Sequence, residues 1–166
     1  MVSAGRLNKI KNFEYLLDVF SHLKDKEVYL DIYGSGDKTG YEKLIKERGL
    51  KVRMMGQHNE LQDLINTYDL FVLPSKFEGF PLSVFEAMAS GVPLLISNIA
   101  PLKSIVRENA LYFDLNDDKS IADIIISVLE RKTDINTLAK NARVYAEKTV
   151  RREMYMDKLL QIYSQL

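Results

Sequence analysis

The 166-residue chain has no cysteine. That excludes a disulfide framework, a thiolate metal site and a cysteine nucleophile. It suits a reducing compartment. Proline (4) and glycine (8) are scarce, so a fibrous or low-complexity chain is excluded. Net charge is also missing: 23 basic residues balance 23 acidic ones. A nucleic-acid binder working through a global positive field is therefore not expected, although a local basic patch stays open. No apolar run approaches the roughly 18 residues of a spanning helix, and no signal-peptide stretch opens the chain. These absences lead to the expectation of a soluble, cytoplasmic protein.

What is present is 46% hydrophobic residues and 28% charged ones. Disorder is excluded by that apolar content. A chain of this length buries roughly 70% of its unfolded surface, enough for one core. One domain spanning residues 1–166 is expected.

Short β-rich runs alternate with longer helical patterns. The strand candidates are Val2–Ala4, Val28–Tyr33, Val52–Met55, Leu70–Leu73, Pro93–Ser97 and Ala110–Phe113. Several are apolar on both faces, which reads as buried parallel strands. The helical patterns are Phe13–Leu23, Gly40–Arg48, Leu61–Thr67, Ser83–Ser90 and Leu102–Arg107. Phe13, Leu16, Leu17 and Phe20 recur at i, i+3, i+4 and i+7, with Asn12 as the expected N-cap. After residue 114, Asp117–Arg131, Ile135–Lys148 and Val150–Leu166 all read helical. The fold class is α/β: a Rossmann-like, doubly wound parallel sheet of about six strands with a helical C-terminal tail.

In such sheets ligands bind beyond the carboxyl ends of the strands. The first such loop, Gly5 to Asn12, carries Arg6, Lys9 and Lys11 and ends at a helix start, a ready anion site, although a charge run of this kind taken alone is more often a solvated basic loop. The second, Gly34-Ser35-Gly36, has neither dinucleotide-fingerprint nor P-loop spacing, but permits close backbone approach to a ligand. The third holds Gln57 and His58. An isolated histidine of this kind carries little by itself.

The fourth strand ends in the densest signal, Pro74 to Pro93. A loop containing Gly79 and Pro81 feeds a helix starting near Leu82 or Ser83, whose first amides point back toward the strand ends. Glu78 and Glu86 flank that start eight residues apart. Both could accept hydrogen bonds from sugar hydroxyls. Ser83-Val84-Phe85-Glu86 is also a capping box, which would make Glu86 structural. The spacing leaves both roles open.

These residues resemble the C-terminal, donor-binding domain of retaining glycosyltransferases of family 4, which have the two-domain GT-B architecture. The matching marks are Gly5-Arg6-Leu7 with Lys11-Asn12, Gly34-Ser35-Gly36 and Gly56. Stronger ones follow in Leu73-Pro74-Ser75, Glu78-Gly79-Phe80-Pro81 and Glu86 through Pro93, with the E-x7-E spacing. The likeness covers essentially the whole chain in order.

The resemblance implies roles. Arg6 and Lys11 match the basic pair that grips the donor diphosphate and stabilises the departing nucleotide. Glu78 matches the glutamate facing the transferred sugar, and Glu86 the one binding ribose. The backbone around Gly79, Phe80, Leu82 and Ser83 matches the loop beside sugar and phosphate. Gln57 and His58 fall near the base, and Gly5, Gly34 and Ser75 near the same pocket. A UDP-sugar is favoured over a GDP-sugar as the donor, with no obligatory metal. No lysine is placed for a pyridoxal phosphate Schiff base.

The family's first, acceptor-binding domain has no counterpart here. The resemblance therefore implies half of an enzyme, an excised or separately encoded domain that binds donor but transfers poorly alone. A noncatalytic nucleotide-sugar-binding module is the alternative. A glycan or lipid-linked acceptor would come through the other domain, at the inner face of the membrane. An apolar stripe of Tyr155, Leu159, Ile162 and Tyr163 on the last helix would support self-association if exposed.

Overall fold

The computed structural model describes residues 1–58 and 60–149. The last expected helix, 150–166 with its apolar stripe, lies outside the described residues.

Six parallel strands form one sheet. They are β1 (Val2–Ala4), β2 (Leu30–Tyr33), β3 (Val52–Gly56), β4 (Phe71–Leu73), β5 (Leu94–Ser97) and β6 (Leu111–Phe113). The helices are α1 (Phe13–Ser21), α2 (Thr39–Arg48), α3 (Leu61–Ile65), α4 (Leu82–Ala89), α5 (Ala100–Val106), α6 (Asp118–Leu129) and α7 (Ile135–Thr149). Spatial order is β3-β2-β1-β4-β5-β6, the doubly wound arrangement. Connections leave β1 and β4 in opposite senses, which opens a crevice between these neighbours.

Within the described residues the expected strands and helices are all present, with ends shifted by two residues or fewer. Strands β1, β2, β4 and β5 are buried at every position, as their two-faced apolar character requires. Strand β3 lies at the edge and alternates: Val52 and Met54 are buried, Arg53 and Met55 exposed. Helix α5 begins at Ala100, two residues before the expected start. Pro101 occupies its first turn, where its missing N–H costs nothing.

Helix α1 buries Phe13, Leu16, Leu17, Val19 and Phe20 against the sheet. Each such side chain contributes about 1.5–3 kcal/mol. Asn12 does not cap α1 with its side chain: it is left-handed (φ 57°) and merely turns the chain into the helix. The neighbouring carboxamide does the local work instead, as Asn8 Oδ1 accepts from the amides of Ile10 and Lys11, each at 3.0 Å.

Helix α4 is short and apolar, with Val84, Phe85, Ala87 and Met88 buried. It ends at Gly91 (φ 71°), where the Gly91 amide bonds Met88 O and the Val92 amide bonds Ala87 O, both at 3.0 Å. A left-handed residue following a helix favours glycine. Ala139, Ala142 and Ala146 form a buried small-residue face on α7, which packs on α4.

Candidate functional site

The loops beyond the strand ends are stitched together by backbone bonds. Gly5 N donates to Tyr33 O (2.9 Å), Leu7 N to Ser35 O (2.8 Å) and Gly34 N to Gly56 O (2.8 Å). Lys76 N donates to Ile10 O at 2.8 Å, joining the β1 loop to the β4 loop. Gly34 lies so close to the β1 loop that an added Cβ would sit 1.8 Å from the Gly5 carbonyl oxygen. Glycine is thus required here for close chain-to-chain approach, in addition to the approach to a ligand expected from the sequence.

An open cleft of about 400 Å³ lies in this crevice. The β1 loop contributes Gly5, Arg6 and Lys11; β2 and its loop contribute Tyr33, Gly34 and Ser35. Gln57 and His58 close one end, and Phe80, Leu82, Ser83 and Glu86 close another. The cleft thus brings together most of the residues singled out in the sequence. Arg6 is exposed and Glu86 half-buried.

A larger cavity of about 920 Å³ opens at the opposite end, beside Met1, Tyr29 and Leu70, which precede β1, β2 and β4. Size does not decide here. The smaller cleft lies at the carboxyl ends, where a parallel sheet directs loops and helix N-termini at a ligand.

Four expected site groups are set back from the cleft or already engaged. Ser75 does not face the cleft. It is fully buried, and its hydroxyl donates to Glu78 Oε1 at 2.5 Å. Glu78 itself is only 7% exposed, and the Lys11 ammonium donates to the same oxygen at 2.6 Å. It forms the wall behind Lys11. The Leu82 amide is engaged by Phe80 O at 3.0 Å and so is not aimed at a ligand. Gly79 is not among the residues lining the cleft.

The capping box does not form. Helix α4 starts at Leu82 with Pro81 as its N-cap residue and no side-chain cap. Ser83, already inside the helix, donates its hydroxyl to Ala4 O at 3.3 Å. Among the described residues nothing donates to the Glu86 carboxylate, which remains available to the cleft, while its backbone carbonyl accepts from Ser90 N at 3.0 Å.

Sequence reading missed a polar network behind Tyr33. Asp31, buried in β2, takes a two-pronged bond from Arg53 (2.7 and 2.7 Å) and a bond from the Tyr68 hydroxyl at 2.8 Å. Tyr68 has spent its only proton on Asp31, so Tyr33 donates to Tyr68 oxygen across 3.1 Å. Burial opposes ionisation of Asp31, but the bonds from Arg53 and Tyr68 outweigh it and hold the carboxyl below its usual range. Burial, then the bonds to Tyr33 and Asp31, push the Tyr68 phenol far up. The Tyr33 ring meets His58 edge to face at 6.0 Å, which fixes one end of the cleft. An acidic residue inside an apolar strand run, Leu30-Asp31-Ile32, was the available signal.

Residues 1–146 match the model of the family described as glycosyl transferases group 1. The chain belongs to this family. Among curated relatives, a UDP-Gal:alpha-D-GlcNAc-diphosphoundecaprenol alpha-1,3-galactosyltransferase of Escherichia coli is 30% identical over 152 residues. That match covers 84% of this chain and 38% of the relative. An O-antigen biosynthesis glycosyltransferase of E. coli is 28% identical over 126 residues, covering 74% of this chain and 35% of the relative. The chain therefore spans well under half the length of these relatives. The fold is that of solved glycosyltransferases of the GT-B type. The crystal structure of Anabaena Alr3699/HepE in complex with UDP-glucose superposes with a TM-score of 0.90 at 21% identity. It covers 99% of this chain and 48% of that one. Among the described residues no helix is long and apolar enough to cross a membrane.

Proposed function

We propose that this group 1 glycosyltransferase chain is the donor-binding half of a retaining family 4 enzyme. One observation carries the reading: two cations, Arg6 and Lys11, and a carboxylate without a partner among the described residues, Glu86, share one cleft between β1 and β4. Cations there suit a diphosphate, and a carboxylate with free acceptor sites suits vicinal hydroxyls.

In this reading Arg6 and Lys11 hold the diphosphate and stabilise the charge that develops as the nucleotide leaves. The requirement is met without an obligatory metal. Glu86 accepts from the ribose hydroxyls. Glu78 accepts from a sugar hydroxyl once Lys11 swings toward phosphate. Gln57 and His58, braced by Tyr33, border the base. The donor is a UDP-sugar in preference to a GDP-sugar, a choice supported by the UDP-galactose and UDP-glucose named for the two relatives. A hexosyl group passes with its configuration kept to a glycan or lipid-linked acceptor held by another domain. The chain by itself binds donor and transfers poorly. The relatives' roles in surface-polysaccharide assembly support the same setting here, at the cytoplasmic face of the membrane.

Supplying UDP-α-glucose to the full polypeptide and following the sugar by proton NMR tests this. A product that first appears as the α anomer supports the reading. A β product contradicts the retaining assignment.

A further inference from the structure

Ser97 ends β5 and is fully buried, yet it carries a hydroxyl that burial obliges to find a partner. Strand pairing between β4 and β5 runs from Phe71–Leu94 to Leu73–Ile96 and stops. Beyond that point the strands part, and the Ser75 carbonyl has no strand partner to receive. The Ser97 hydroxyl takes that place, donating to Ser75 O at 2.6 Å. Ser75 in turn donates its own hydroxyl to Glu78 Oε1 at 2.5 Å. A chain of two short bonds thus runs from the end of β5 to the buried carboxylate.

Two donors, Ser75 and Lys11, converge on Oε1 of Glu78. No described residue donates to Oε2. When Lys11 turns to phosphate, Ser75 alone keeps Oε1 committed and Glu78 oriented, with Oε2 open. A carboxylate that must accept from a sugar hydroxyl needs this kind of fixed direction, because a misplacement of about 1 Å weakens a hydrogen bond severely.

We propose that Ser97 is a positioning residue that acts through Ser75 to aim Glu78 at the sugar of the donor. The inference rests on the donor-site reading above, and it adds a residue outside the cleft that makes no contact with any ligand. Its expected mark is selectivity. Loss of the Ser97 hydroxyl loosens the Ser75–Glu78 turn, so the sugar is held less well while the nucleotide, gripped elsewhere, is held as before.

Ser3 supplies the control. It is equally buried, and its hydroxyl also donates to a strand carbonyl, Val72 O, at 2.5 Å, but it has no link to Glu78. The experiment measures, in the full polypeptide, affinities for UDP and for its glucose, galactose and N-acetylglucosamine conjugates by calorimetry. The variants are Ser97→Ala, Ser97→Thr, Ser3→Ala and Glu78→Gln. Ser97→Ala is expected to lose about fivefold in affinity for the best-bound conjugate, the worth of one hydrogen bond, with UDP affinity within twofold of the parent. Ser97→Thr, which keeps the hydroxyl, is expected to restore it. Ser3→Ala should lower stability similarly but leave the conjugate-to-UDP ratio unchanged. A Ser97→Ala ratio equal to that of Ser3→Ala, while Glu78→Gln does lower it, overturns the role of Ser97 alone. A ratio that Glu78→Gln leaves untouched overturns the Glu78 assignment and the role of Ser97 together.

Discussion

The Lys11 ammonium lies 2.6 Å from Glu78 Oε1, so the cation proposed for the diphosphate and the carboxylate proposed for the sugar are bonded to each other. Each satisfies the other's charge. In the proposed function, donor binding exchanges this ion pair for two charge-assisted contacts, Lys11 to phosphate and Glu78 to hydroxyl. That exchange limits what the pair costs and what it gains.

Replacing Lys11 by Met leaves Glu78 nearly buried with only Ser75 as partner. The expected loss is about 2 kcal/mol in chemical denaturation, since removing one member strands the other's charge. Adding Glu78→Gln should recover much of it, because a neutral amide needs no counter-ion. UDP affinity should stay low in the double variant. Recovery of UDP binding there would show that Lys11 serves the fold and not the diphosphate.

Glu86 separates helix capping from ribose binding. It caps nothing in this structure, so Glu86→Gln should leave stability within about 0.5 kcal/mol. Affinity for UDP should fall about fivefold or more, since a neutral amide accepts more weakly from hydroxyls. Binding of 2′,3′-dideoxy-UDP should be indifferent to the change. Equal losses for both nucleotides would remove the ribose from the account.

Two glycines should respond in opposite ways to alanine. At Gly34 the new Cβ would meet the Gly5 carbonyl oxygen at 1.8 Å, backbone against side chain with no flexible end to yield. Gly34→Ala should cost more than about 3 kcal/mol. Gly40 lies in α2 with open space around it. Gly40→Ala should stabilise by about 0.5–1 kcal/mol through helix propensity. Thermal and denaturant melts of the two variants check both signs.

Acid should act through Asp31. Its folded carboxyl titrates below the usual range, held there by Arg53 and Tyr68 against the opposing effect of burial. Its contribution is therefore complete above about pH 4, the ordinary carboxylate value, and is lost as pH falls through the lower folded value. Asp31→Asn should be less stable than the parent at pH 7. The gap should narrow below pH 4 in urea titrations. A gap that widens in acid would reverse the sign and contradict the assignment.

The sheet was legible because its strands are short apolar runs buried on both faces, and the helices because Phe13, Leu16, Leu17 and Phe20 keep strict spacing. The cleft was legible in outline, since strand–helix alternation alone says that the loops after Ala4, Tyr33, Gly56 and Leu73 meet at one edge. Details set by contacts distant in sequence were not. Nothing near Ser75 in the chain announces Ser97, 22 residues away, and nothing near Glu78 announces its pairing with Lys11. The Ser83–Glu86 capping pattern failed because the helix starts at Leu82 after Pro81, two residues earlier than the pattern requires, which puts Ser83 inside it. Asp31 reads as a defect in a strand until the edge position of Arg53 is known.

Titration calorimetry of the protein with UDP, GDP and ADP, repeated with Arg6→Ala, tests the donor cleft most directly. The account predicts that UDP binds best, with a dissociation constant below about 1 mM, and that Arg6→Ala weakens UDP at least about tenfold while leaving uridine unchanged. Absence of binding by all three nucleotides at millimolar concentration would contradict it.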